Sequence, residues 1–84
     1  MKAENTIIIY ECFNELEEDY VKTILSSHNP NQVRIHDNKA YVEFNESAAT
    51  KLPLFEFSYE NNEIPKLGKY KACDEDLSFF LEKK

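Results

Sequence analysis

Two histidines, His28 and His36, and two cysteines, Cys12 and Cys73, are the residues of this 84-residue chain best suited to nucleophilic or metal chemistry. Their spacing serves neither. Zinc sites draw on close Cys/His pairs such as CxxC, or on histidines one helical turn apart, and no such pair occurs. His28 reads as a helix C-terminal residue favoured by the helix dipole, and His36 as a surface residue of a strand. Carboxylates abound, but the run Glu15-Leu16-Glu17-Glu18-Asp19 has the pattern of a wet helix face. Gly68 is the sole glycine, so there is no glycine-rich loop to cradle a phosphate. The expectation is therefore a protein that is not an enzyme, with no cofactor, metal ion or small-molecule substrate.

Composition narrows the partners. Sixteen acidic against ten basic residues leave a net charge of −6. Nucleic-acid binders gain affinity by neutralising phosphates and are normally basic, so strong nucleic-acid binding is disfavoured. Length allows one small domain, residues 1–84, which buries only about 60 % of its unfolded surface; association with a second chain would help it. No apolar run approaches membrane-spanning length, and the apolar run after Thr6 is too short for a secretory signal. Two cysteines outside any CxxC pair suit reduced thiols, hence a cytoplasmic or nuclear protein.

The elements follow in order. Thr6-Ile7-Ile8-Ile9-Tyr10 is β-branched and reads as a buried strand. A helix comes next, with Asn14 as N-cap and Glu17 three residues on. Its apolar stripe is Leu16, Tyr20 and Ile24, with Phe13, Val21 and Leu25 beside it, and Ser27-His28-Asn29-Pro30 ends it. Val33–His36 and Lys39–Val42 flank Asp37-Asn38, residues that tolerate φ > 0 and suit a two-residue hairpin turn. The register sets His36 opposite Lys39, Ile35 opposite Ala40, Arg34 opposite Tyr41 and Val33 opposite Val42. Ile35, Ala40, Val33 and Val42 then share an apolar face, and Arg34, His36, Lys39 and Tyr41 share the other; a slip of one residue would mix them. A short second helix over 47–52, capped by Asn45 or Ser47, is limited by Pro53. Phe55–Tyr59 alternates, 60–63 turns, and Ile64–Ala72 is extended. An acid-capped amphipathic helix over 74–83 closes the chain.

The octapeptide Asp37-Asn38-Lys39-Ala40-Tyr41-Val42-Glu43-Phe44 resembles the RNP1 strand of the RNA recognition motif, or RRM. Ala40, Tyr41, Val42 and Phe44 match its pattern; Asp37, Asn38 and Lys39 depart from it. Thr6 to Cys12 looks like an RNP2 strand and turn. The resemblance, from about Thr6 to Ala72, implies an α+β, ferredoxin-like β-α-β-β-α-β fold: a four-stranded antiparallel sheet with two helices on one face, plus the C-terminal helix. In the family, one RNP2 and two RNP1 rings stack on bases. Those positions are here Ile8, Lys39 and Tyr41, so one ring survives, and each lost platform removes about 1–3 kcal/mol per base. Cys12 aligns with a position usually apolar in the family, which makes core packing its expected role rather than pairing with a histidine as a nucleophile.

What the resemblance implies is a degenerate RRM serving as a protein-interaction or dimerisation module in an RNA-processing or ribonucleoprotein assembly, small-RNA processing included. Its partner would be another copy or another protein, with RNA weak or indirect. Ile8, Tyr20, Arg34, Tyr41 and Phe80 are the expected interface residues, since Tyr and Arg suit interface anchors. Tyr20 would meet a basic partner together with Glu17, Glu18 and Asp19. The C-terminal helix could instead fold over the sheet, with Leu77, Phe80 and Leu81 covering Ile8. The alternative is weak binding of single-stranded RNA through Arg34, His36, Lys39 and Tyr41, extended by Lys66, Lys69 and Lys71. A second alternative is an acidic inhibitor that imitates nucleic acid; an acylphosphatase-like enzyme on this topology lacks its phosphate loop.

Overall fold

Three consecutive isoleucines make β1, Thr6–Tyr10, a stiff extended segment buried on both sides. The structure, a computed structural model, describes residues 1–12, 15–60 and 67–80, with the backbone alone for 56–60. The other described strands and α-helices are α1 (Glu18–Ile24), β2 (Gln32–His36), β3 (Lys39–Glu43), α2 (Ala48–Glu60) and β4 (Lys69–Ala72). The four strands form one antiparallel sheet in the order β2-β3-β1-β4. This is the ferredoxin-like order of an α+β fold, compatible with RRM-like topology.

The hairpin carries the expected register. Val33, Arg34, Ile35 and His36 pair with Val42, Tyr41, Ala40 and Lys39. Asp37 and Asn38 both take positive φ, 54° and 58°, the condition for a two-residue turn whose twist matches the strands. Gly68 is required by close approach: at φ 157° a Cβ there would lie 2.5 Å from the Tyr10 carbonyl oxygen. The entry to β4 thus lies tight against the end of β1.

One side of the sheet carries the helices. Ile7, Ile9, Val33, Ala40 and Val42 pack with Leu16, Val21, Leu25, Phe44, Ala48, Phe55 and Leu67. Here the helical stripe differs from expectation. Val21 and Leu25 are buried whereas Tyr20 is 47 % exposed. The first helix is also shorter, beginning at Glu18 after Glu17 as N-cap, and Phe13 and Asn14 lie outside the described residues. Leu16 therefore reaches the core from the loop before the helix, and the helical face turns by one residue. The expected end stands: a 3-10 turn over Ser26–His28 leads into left-handed Asn29 at φ 55°, just before Pro30.

The second helix is a correction. It runs to Glu60 through Pro53, where a stop after Leu52 and an alternating extended segment were expected. Proline removes one i→i−4 bond and crowds the preceding turn, at about 3 kcal/mol. Burial of Phe55, 0 % exposed and edge-on to Phe44 at 5.7 Å, lies beyond that proline and opposes the cost. Ser47 is the cap, its Oγ accepting the Thr50 amide at 3.3 Å. The expected turn at 60–63 and the extended residues 64–66 fall mostly outside the described residues; Lys69–Ala72 is extended as expected.

The C-terminal helix is corrected too. Within the described part of 74–83 there is a single 3-10 turn, Ser78–Phe80, and no α-helix. The Asp76 carboxylate accepts the Ser78 amide at 3.0 Å, and Glu75 is drawn down onto Lys39 and Tyr41. Those polar contacts, with two phenylalanines that both engage rings on the sheet, replace a regular helical ladder.

Candidate functional site: the outer face of the sheet

The face away from the helices is built from one cross-strand row. Register places Lys71 of β4, Ile8 of β1, Tyr41 of β3 and Arg34 of β2 side by side. Side chains alternate between faces along a strand, so the same alternation that sends Ile7 and Ile9 to the helices sends Ile8 outward.

That face is covered. Ile8 and Tyr41, each 0 % exposed, pack with Leu77 and Phe80 of the segment after β4, and Met1, Ala3, Tyr10 and Cys73 rim the cluster. The Tyr41 ring meets Phe80 edge-on at 5.1 Å, and the Arg34 guanidinium lies 4.8 Å from the Phe80 ring centre, a favourable cation–π placement. Covering of Ile8 by Leu77 and Phe80 therefore occurs, through a 3-10 turn instead of an α-helix; Leu81 lies outside the described residues.

Glu75 fastens the cover. The Tyr41 hydroxyl donates to its carboxylate at 2.8 Å and Lys39 Nζ donates at 3.1 Å. The Tyr41 bond, then that of Lys39, holds the Glu75 carboxyl below the usual carboxylate range. Burial, followed by the bond to Glu75, pushes the Tyr41 phenol far above its ordinary value. A phenol that donates to a carboxylate in a dry place resists ionisation on both counts. The sequence pattern flagged Tyr41 and Lys39 but gave no sign of Glu75, because its contacts span more than thirty residues of sequence.

The named residues are thus divided. Ile8, Arg34, Tyr41 and Phe80 come together in one closed cluster, and Tyr20 stands apart, exposed on α1. Among the RNA candidates, Tyr41 is enclosed, Lys39 is ion-paired, and His36 is exposed with its ring stacked on Phe79 at 4.4 Å. Phe79, missed by the sequence reading as a ring beside His36, is 45 % exposed. Lys69 pairs with Glu11 at 3.1 Å and Lys71 with Asp74 at 3.4 Å, the latter also lying over the Tyr10 ring; Lys66 is outside the described residues. Among the described residues, the three lysines of the basic patch, Lys39, Lys69 and Lys71, are each paired with a carboxylate of the same chain.

The other chemistry-bearing residues sit in structural roles. His28 is buried against Phe55 at 4.8 Å, with its carbonyl accepting from Lys51 Nζ at 3.1 Å. Burial pushes the Cys12 thiol up, away from the reactive thiolate. Among the described residues no group of three or more His, Cys, Asp or Glu could hold a metal ion, and no helix is long and apolar enough to cross a membrane. No protein-family model, no curated protein and no solved structure matches this chain.

Proposed function

We propose that this chain is a degenerate RRM-like domain that acts as a protein-interaction module, joining a homo- or heterodimer within an RNA-processing or ribonucleoprotein assembly. One observation carries the reading. Of the three positions at which an RRM offers rings to bases, Ile8 and Lys39 have none, and Tyr41 lies under Phe80 with its hydroxyl bonded to Glu75. A base could stack there only after displacing the cover. Net charge of −6 gives no counterbalancing attraction to phosphates. Tyr20, exposed beside Glu17, Glu18 and Asp19 on the helical side, is an available anchor for a basic partner surface.

A second reading, weak binding of single-stranded RNA, is favoured by the half-exposed Phe79 ring stacked on His36 near Arg34. A pull-down with the full chain, with and without ribonuclease, separates the two. Direct partners that survive ribonuclease and are lost in Tyr20→Ser support the protein reading. Partners that vanish with ribonuclease, together with retention of a fluorescent single-stranded RNA at moderate salt, overturn it.

A further inference from the structure

We infer that the outer face of the sheet is a peptide-binding site, and that its ligand is an acidic, aromatic segment of a partner protein for which residues 74–80 are the built-in substitute. The inference rests on the protein-interaction reading above and adds to it a second contact site, separate from the Tyr20 surface and with its own ligand chemistry. The covering segment displays that chemistry. Lys39 Nζ and the Tyr41 hydroxyl converge on one carboxylate, at 3.1 and 2.8 Å. Two residues on, Leu77 seats on the Ile8–Tyr41 floor, and three further on Phe80 fits between Tyr41 and Arg34. The site therefore reads a carboxylate, then an aliphatic group, then a ring, spaced as Glu75, Leu77 and Phe80 are.

The cover is joined to the sheet mainly by side chains beyond Cys73, whose amide still bonds to Thr6 O at 3.0 Å. Its one described turn has three residues. Such an element carries little internal stability and can leave without unfolding the sheet. A second copy is a poor donor of the ligand. Its own segment is tethered beside an identical face, and a tether supplies an effective concentration near the millimolar range or above, about as high as short linkers give. A partner segment with no face of its own has no such competitor on its side.

The probe is a fluorescent synthetic peptide with the sequence of residues 74–84, titrated into the full chain. The double variant Glu75→Gln/Phe80→Ala, whose own cover is weakened, should bind it about a hundredfold more tightly than the unaltered chain. The same peptide with Glu75 replaced by Gln, or with a scrambled order, should lose most of that binding. Amide signals of the Asp37-Asn38 turn verify that the variant is folded. If it is not, Glu75→Gln alone is titrated and should show the same direction of change. Equal binding of scrambled and native peptide, or no binding to a folded variant, overturns the inference. The ribonuclease pull-down does not depend on this site. Partners kept through Tyr20 while the peptide fails would sink the inference alone, whereas peptide binding with every partner lost to ribonuclease would sink the protein reading alone.

Discussion

The two faces of this sheet are both buried, but by different means. Toward the helices, Ile7, Ile9, Val33, Ala40 and Val42 meet side chains from two helices and their loops. Toward the other side, Ile8 and Tyr41 meet Leu77 and Phe80 from one short segment. The first face is wide and aliphatic, so its cohesion is burial of area. The second is small and aromatic, and a carboxylate bridged to Lys39 and Tyr41 supplements the burial. A narrow cover needs directional contacts because it cannot hide enough apolar surface to hold itself by area alone.

Breaking the larger face should have the largest effect. Phe55→Ala removes a fully buried ring and should cost about 3–5 kcal/mol, read as a drop in urea midpoint with the whole chain unfolding together. Phe80→Ala should cost less, about 2 kcal/mol, and should raise amide exchange in 74–80 and at Ile8 while leaving the hairpin protected.

Glu75→Gln sharpens the contrast further. It should cost about 1 kcal/mol and return the Tyr41 phenol toward the ordinary range in an alkaline absorbance titration. The native chain should show matching pH dependences. Because the folded Glu75 carboxyl is depressed, its stabilisation is present above the ordinary carboxylate value of 4.5 and is lost as pH falls through the depressed one. Because the folded Tyr41 phenol is raised, its contribution is present below the ordinary value of 10.0 and is lost as pH climbs toward the raised one. Protection factors of the cover's amides, taken against the intrinsic exchange rate at each pH, should therefore fall at both extremes of pH before those of the helix-side core do. Least of all, Tyr20→Ser should move stability by no more than about 0.5 kcal/mol, since that ring is exposed, and should act on partner retention alone.

How much was legible follows from how local each signal is. The hairpin register could be read because Asp37-Asn38 and the alternation on either side point to one pairing. The strand at Thr6–Tyr10 and the α+β order could be read for the same reason. The extension of α2 through Pro53 could not, because the burial of Phe55 is a tertiary fact and the local signals at Pro53 oppose it. Tyr20 was misplaced on the core stripe because the first helix begins later than its capping pattern suggests, which turns the buried face. The cover was foreseen in its apolar residues, Leu77 and Phe80, since amphipathic patterning is local. Its form and its fastening by Glu75 were not, since both depend on where the distant Lys39 ammonium and Tyr41 hydroxyl fall.

Closure of the outer face is the point on which this account turns, and proton–proton contacts test it most directly. In the full chain with labelled isoleucine methyls and phenylalanine rings, near neutral pH, Ile8 should show strong Overhauser contacts to the Phe80 ring, with Tyr41 in the same network. An Ile8 methyl free of Phe80 contacts, with a Tyr41 ring open to solvent, would contradict it.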